Sequence, residues 1–356
     1  MKFGKILLGL LASSMLFASC GTDKKGEDDH FFQLRGIVLA WEDVVADPSI
    51  IDWLGTLKKY DMNTISIFGH DCQSPEYAEL RQRCIDMGFG FEYENHGMTR
   101  LLPRNLFEDH PEYFRMNENG ERVPDYNGCP SNPAALDVVY ENVKVLGKEY
   151  HPSNHRYYFW LHDGGDKCYC EKCRNLNLAD QALLFENAMI KGLREIDPEA
   201  MLAHLAYQKT SPAPTCVKPA EGIFLEYAPI DRCHEKPLLD LDAAWTERTE
   251  WKNGDFVQML KDNIAVFGAG NAQILEYWLD DSLFSMWSKP QKPVRWSNEV
   301  FDADIEFYAS LGIRNITCYG AWIDDNYKRT YGETSFIDYY CKTLRDYKPT
   351  NEVIPQ

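Results

Sequence analysis

One pattern repeats along the chain from residue 31 onward: a short apolar run, a polar or aromatic loop, and an amphipathic segment of helical length. Strands are predicted at residues 34–41, 64–68, 90–93, 157–161, 201–207, 222–227, 273–278 and 315–319. Helices are predicted between and after them, at residues 49–60, 75–87, 134–150, 178–196, 256–267, 298–311 and 335–347. Strands that alternate with helices indicate a parallel sheet.

Eight such units predict a single (β/α)8 TIM barrel over residues 31–350, because closure leaves no strand edge exposed. An open, doubly wound sheet is the alternative. That fold usually has a glycine-rich first turn, where this chain has Trp41-Glu42-Asp43. Two long loops are expected, at residues 95–133 after the third strand and 229–255 after the sixth. Loops that follow barrel strands form the face where barrel enzymes place their active sites.

The first 30 residues have the features of an export signal and a tether. Residues 1–19 combine two lysines with an apolar stretch that is too short to span a membrane, and small residues lead into Cys20. This end resembles a bacterial lipobox, which predicts a lipoprotein signal peptide and lipidation of Cys20. An ordinary signal peptide cut near Ser19 is the alternative. Residues 20–30 are polar and are expected to be a flexible tether.

These features predict a protein anchored to the outer membrane through its lipid alone. The acidic residues after Cys20 resemble the surface-export signals of Bacteroidetes-type lipoproteins, whereas a plain periplasmic tether is the simpler reading. The net charge is −18, from 37 basic and 55 acidic residues. Nucleic acid is therefore excluded as an expected partner, because phosphate binding needs a basic face.

Carboxylates and aromatic residues dominate the predicted strand ends. They include Trp41-Glu42-Asp43, His70-Asp71, Glu92 to His96, His162-Asp163, Tyr207, Glu226-Tyr227, Glu276 to Trp278 with Asp280-Asp281, and Tyr319 to Trp322 with Asp324-Asp325. Carboxylates serve as acid, base or nucleophile in glycosidic cleavage, and aromatic faces stack on sugar rings. Some of the acids, such as Asp43 and Asp71, could instead cap helices. Taken together, the strand ends predict a carbohydrate site.

Three carboxylates are the catalytic candidates: Asp163, Glu226 and Glu276. Each glutamate ends an apolar strand, where burial would raise its pKa into a useful range. The expected sugar-binding residues are Trp41, His96, His162, Tyr207, Tyr227, Trp278 and Trp322. Two alternatives stay open: a non-catalytic glycan-binding barrel, and a metal-dependent hydrolase that uses His70, His96, His162 and an aspartate.

Ten cysteines remain beside Cys20, and three of them lie within six residues at Cys168, Cys170 and Cys173. This C-x-C-x-x-C spacing is typical of a zinc knuckle, and Cys233 is the expected fourth ligand, with Cys216 or His234 as substitutes. Disulfides are the alternative, because the predicted compartment is oxidising. A structural zinc ion is therefore the predicted cofactor.

Several motifs resemble domain-of-unknown-function family 4838, a group of glycosidase-like barrels. The strongest element is His162-Asp163-Gly164-Gly165 followed by the cysteine run. The other elements are residues 110–114 (HPEYF), 129–133 (CPSNP), 206–207 (AY) and 228–233 (APIDRC). That family is in turn similar to α-glucuronidases and, more distantly, to β-hexosaminidases. The resemblance implies a barrel and a glycan substrate, while His162-Asp163 departs from the Asp-Glu pair of the hexosaminidase pattern.

Overall fold

The computed structural model describes residues 30–69 and 71–350. The predicted signal peptide, Cys20, most of the predicted tether and His70 lie outside the described residues. Within the described ranges, no helix is long and apolar enough to cross a membrane.

Eight parallel strands close into a barrel in chain order. They are β1 (Leu34–Ala40), β2 (Thr64–Phe68), β3 (Gly90–Asn95), β4 (Arg156–Phe159), β5 (Met201–Tyr207), β6 (Ile223–Ala228), β7 (Gln273–Glu276) and β8 (Asn315–Cys318). The barrel closes between β1 and β8, where Leu34 pairs with Asn315. The predicted (β/α)8 barrel is confirmed, and the open doubly wound sheet is excluded.

Helices connect the strands. They are α1 (Trp41–Val44), α2 (Trp53–Lys59), α3 (Pro75–Asp86), α4 (Met98–Leu101), α5 (Pro133–Glu149), α6 (Leu178–Ile196), α7 (Asn253–Phe267), α8 (Asp281–Phe284), α9 (Asn298–Ser310), α10 (Asp325–Tyr331) and α11 (Ser335–Asp346). Both predicted long loops are present, between β3 and α5 and between β6 and α7. A third long segment, residues 277–297, joins β7 to α9 and was not predicted.

Successive side chains of a strand point alternately into the barrel and out toward the helices. In β7, Gln273 points inward, where its amide donates a hydrogen bond to Glu226. Leu275 also points inward and joins the apolar cluster of the interior. Glu276 points outward and accepts a hydrogen bond from Tyr308 of α9. The alternation therefore decides which strand-end residues can form a site.

The interior of the barrel holds three buried glutamates and one arginine. Arg156 Nε lies 3.8 Å from Glu92 Oε1, and Glu94 and Glu226 are equally buried. Burial raises the pKa of Glu92 to about 7 and holds those of Glu94 and Glu226 well above their usual range. One arginine cannot compensate three charges, so the enclosed layer favours protonated carboxyl groups.

Candidate active site

A cavity of about 420 Å³ lies at the C-terminal mouth of the barrel. Every strand contributes a residue at or just after its end: Ala40, Phe68, His96, Trp160, Tyr207, Ile230, Tyr277 and Tyr319. A volume of this size is typical of a small-molecule site. The cavity occupies the face where the long loops were expected to build an active site.

Three carboxyl groups line the cavity, from Glu42, Asp163 and Asp280. Glu42 and Asp163 are exposed, whereas Asp280 is buried. Asp280 Oδ1 accepts hydrogen bonds from Ser282 Oγ at 2.5 Å and from the backbone N–H of Leu283 at 3.1 Å. Burial raises the pKa of Asp280 to about 6, because the hydrogen bonds offset the lost hydration only in part. Asp280 therefore combines the burial and the pKa of a general acid.

Aromatic rings form much of the cavity wall. Tyr277 and Tyr319 stack with centroids 5.4 Å apart and 12° between their planes, and Phe68 meets Tyr319 edge-on at 5.3 Å. Trp160 and His96 form a second edge-to-face pair at 5.3 Å. Such flat apolar faces suit the apolar faces of sugar rings.

Two tryptophans that line the cavity have left-handed backbone conformations, with φ of 50° at Trp287 and 66° at Trp322. This conformation is unfavourable for a large side chain. The backbone N–H of Trp322 donates to Asp43 Oδ2 at 3.0 Å, and Lys289 Nζ lies 3.9 Å from the centre of a Trp322 ring. Trp287 remains 48% exposed. The surrounding contacts thus hold Trp322 in place, while the Trp287 ring is partly exposed and has the Arg248 guanidinium carbon 4.8 Å from its centre.

His96 and Tyr207, both predicted, lie in the cavity wall with Asp163. His96 Nδ1 donates to the carbonyl of Leu161, and burial lowers the pKa of the ring, so the neutral imidazole keeps Nε2 as an acceptor. Burial and the neighbouring Asp163 carboxylate raise the pKa of the Tyr207 hydroxyl. The predicted His162 lies beside them, in a crevice of about 30 Å³ whose walls share these three side chains with the cavity.

Glu276, predicted as a catalytic carboxylate, does not reach the cavity. Its Oε1 accepts hydrogen bonds from Arg232 Nε at 3.0 Å and from the Tyr308 hydroxyl at 2.5 Å. Arg232 also pairs with Asp304 at 2.6 Å, and all three charged groups are fully buried or nearly so. The structure therefore does not bring Glu276 into the cavity, because β7 ends with this side chain on its outer face.

Three predicted aromatic residues are also placed away from the cavity. The Trp278 indole donates to Asp304 at 3.0 Å within the core between barrel and helices, and the Tyr227 hydroxyl donates to the carbonyl of Phe256. Trp41 lines a separate surface groove that includes residues of α2 and α3. These three residues therefore do not converge on the cavity as expected. Tyr227 and Trp278 point outward from the barrel, and Trp41, just after β1, faces the separate groove.

Glu226 points into the barrel but is completely buried. Its carboxylate accepts hydrogen bonds from the Trp160 indole at 2.9 Å and from Gln273 at 3.2 Å. Because Trp160 lines the cavity and Glu226 does not, Glu226 contacts the site through the indole alone. Its expected place in the cavity wall is corrected to a place in the layer behind Trp160.

Several residues of the cavity wall were not among the site residues selected from the sequence. Glu42, Tyr277, Asp280 and Tyr319 stand at predicted strand ends but were not selected, since their neighbours carried the same chemistry. Trp287 belongs to the segment of 21 residues between β7 and α9. The length of this segment was the sequence signal that could have indicated a functional loop.

The four buried cysteines that lie together are Cys129, Cys168, Cys170 and Cys173, with their sulfur atoms within 4.8 Å of one another. This group can hold a metal ion. Cys233 is not part of it: it is half-buried after β6, where its backbone N–H donates to Asn253. The fourth cysteine of the cluster is therefore Cys129 and not Cys233, the residue that the sequence predicted.

A family model described as a domain of unknown function, DUF4838, matches residues 52–267, more than half of the chain. The chain belongs to this family. The DUF4838 segment includes Asp163 and the four clustered cysteines, whereas Glu42, Asp280, Trp287 and Trp322 lie outside it. No curated protein is significantly similar to the chain in sequence.

Among solved structures, this DUF4838 protein is similar to the catalytic domain of a β-amylase from Paenibacillus polymyxa, with a TM-score of 0.51 and 10% identity over 89% of this chain and 99% of the other. A β-N-acetylhexosaminidase from Bacteroides fragilis has a TM-score of 0.47 and 12% identity, over 90% of this chain and 68% of the other. An endo-β-1,4-mannanase from Thermotoga petrophila has a TM-score of 0.43 and 9% identity, over 91% of this chain and 79% of the other. At these identities the likeness shows a (β/α)8 barrel fold and nothing finer.

Proposed function

We propose that the protein hydrolyses glycosidic bonds of a glycan in the cavity at the mouth of the barrel. The observation that carries the proposal is that Glu42, Asp163 and Asp280 line one cavity together with tryptophan and tyrosine rings. Glycosidic cleavage needs two carboxyl groups in different roles, and sugar binding uses aromatic faces.

In this proposal Asp280 is the general acid, because its pKa of about 6 keeps a proton available to the leaving oxygen. Asp163, an exposed carboxylate on the loop after β4, is the base or nucleophile. Glu42, His96 and Tyr207 bind sugar hydroxyls. The anomeric form of the first product would distinguish a base from a nucleophile.

The test is release of sugar from a panel of plant and host glycans, including glycans with uronic acids, by the purified protein. Asp280→Asn is expected to lower kcat by about 10²–10⁴-fold while glycan binding is kept. Glu276→Gln, outside the cavity, and Asp109→Asn, on the surface, are the controls and should turn over normally when folded. Unchanged turnover in Asp280→Asn would remove this residue from the mechanism.

A second candidate function is glycan binding without cleavage. It is favoured by the fact that neither Glu226 nor Glu276, both selected for catalysis, reaches the cavity. Binding of a glycan by the wild-type protein without any product release would support this alternative. A metal-dependent hydrolase has less support, because in the described part of the chain the cysteines are the sole group of three or more metal-binding side chains.

We also propose that Cys20 carries the lipid that anchors the protein to the outer membrane, and that the cysteine cluster binds a structural zinc ion. The support for the anchor is the lipobox-like sequence. Its test is incorporation of labelled palmitate into the wild-type protein but not into Cys20→Ala. Incorporation into both would place the lipid elsewhere.

A further inference from the structure

The four clustered cysteines come from two loops. Cys129 ends the long loop after β3, and the other three lie in the loop after β4. Their side chains are all at most 8% exposed. None of these four cysteines forms a disulfide, so packing alone does not explain why four thiols are buried together.

The spacing of the sulfur atoms fits a metal ion. Sulfurs bound to zinc at about 2.3 Å occupy a tetrahedron with edges of about 3.8 Å. Cys129 Sγ and Cys170 Sγ are 3.7 Å apart, and all four sulfurs lie within 4.8 Å of one another. A disulfide would bring two sulfurs to about 2.05 Å, and every cysteine of the cluster is free.

The surroundings also favour thiolates. The backbone N–H of Met116 lies 3.3 Å from Cys168 Sγ, Arg122 Nη1 lies 3.8 Å from the same sulfur, and Ser131 Oγ lies 3.3 Å from Cys129 Sγ. Four thiolates on one zinc ion carry a net charge of −2, which such donors and a cation stabilise. A groove of about 430 Å³ lined by Cys129 and Cys170 gives the ion a path from solvent.

We propose that Cys129, Cys168, Cys170 and Cys173 bind one zinc ion in a closed tetrathiolate site that fastens the loop after β3 to the loop after β4. With four protein ligands the ion has no open position, so its role is structural. Sulfur ligands select zinc over magnesium and calcium.

The site lies next to the wall of the cavity. Asn127, two residues before Cys129, accepts a hydrogen bond from the backbone N–H of His162 at 3.0 Å. Gln181 of α6 binds the backbone of Cys168 and Cys173, five and ten residues after Asp163. The metal would therefore hold the segment that carries His162 and Asp163.

Metal analysis of single-cysteine variants tests the ligand set. We expect one zinc ion per chain in the wild type and in Cys233→Ser, and loss of zinc in Cys129→Ser. If Cys129→Ser fails to fold, the wild type decides: chelation in denaturant should release zinc together with four additional reactive thiols, without a reductant. Zinc loss in Cys233→Ser alone, or thiols that react only after reduction, would overturn the proposal.

Hydrogen exchange tests the fastening, and it does not depend on glycan turnover. Removal of the metal from the full protein should speed exchange in residues 161–166, while residues 277–297 across the cavity serve as the internal control. Equal exchange with and without metal in residues 161–166 would contradict the fastening role. Failure of the glycosidase proposal would leave both measurements unaffected.

Discussion

The two faces of β7 carry similar residues but serve different purposes. On the inner side of β7 and of the segment that follows it, Leu275, Tyr277 and Asp280 line the cavity. On the outer side, Glu276 and Trp278 belong to a buried network of charges and rings between barrel and helices. A carboxylate and an aromatic ring occur on each face, so residue type alone does not distinguish a site from a core.

The two carboxyl groups are also compensated differently. Glu276 is held by Arg232, whose guanidinium also holds Asp304. Asp280 instead accepts hydrogen bonds from the Ser282 hydroxyl and the backbone N–H of Leu283, and burial raises its pKa to about 6. Burial raises the pKa of Glu276 as well, although Arg232 opposes the shift, so what distinguishes Asp280 is that its carboxyl group lines the cavity.

The largest expected effect concerns the outer face. Arg232→Met should lower the free energy of unfolding by about 3–5 kcal/mol, because Glu276 and Asp304 would remain buried without a cation. Urea unfolding measures the loss. Lys59→Met, which breaks the exposed pair with Asp338, is the control and should cost much less, because solvent screens an exposed ion pair. Equal losses in the two variants would contradict the role assigned to the buried network.

The next effect concerns the inner face. If Asp280 is the general acid, kcat/KM should fall about tenfold per pH unit above about pH 6, since the protonated form is the active one. A pH–rate profile measures this limb. Residual activity of Asp280→Asn should lack the limb, and a limb that persists in that variant would assign the proton to another group.

The barrel itself was predictable because strands and helices have different apolar periods, and eight alternations leave few topologies. The face of β7 on which the Glu276 side chain lies could not be predicted in this way. Strands of a closed parallel barrel are buried on both faces, so the run Ile274-Leu275 shows no polar alternation that would reveal which side is inner. A polar residue at the start, Gln273, was the available signal.

The same reasoning applies to the cysteines. The spacing of Cys168, Cys170 and Cys173 indicated a metal site without any structure. The fourth ligand depends on which loop lies beside that of β4. Because β3 is the neighbour of β4 and β6 is two strands away, Cys129 is adjacent and Cys233 is not. The strand order therefore argues against Cys233, but it does not separate Cys129 from Cys216, which follows β5, the other neighbour of β4.

A third effect, smaller for each single pH unit, concerns Asp43 of α1, whose carboxyl group accepts a hydrogen bond from the backbone N–H of Trp322 after β8. Burial raises the pKa of Asp43 from 3.8 to about 8. The native state therefore keeps a proton that the unfolded chain loses, and stability should fall by at most about 1.4 kcal/mol per pH unit between about pH 4 and pH 8. Asp43→Asn should flatten this slope in unfolding experiments across that range. An unchanged slope would show that Asp43 ionises normally in the folded protein.

The smallest expected effect concerns Trp287, and it tests whether an aromatic ring in the cavity wall contributes to glycan binding. Trp287 lines the cavity and is 48% exposed, so Trp287→Ala should weaken glycan binding by about fivefold, about 1 kcal/mol, with the free energy of unfolding changed by less than about 0.5 kcal/mol. Met286→Ala, next to it and 44% exposed but outside the cavity wall, is the matched control and should leave affinity unchanged. Titration calorimetry with a bound oligosaccharide measures both. Equal losses in the two variants would mean that the segment, rather than the indole face, contacts the sugar.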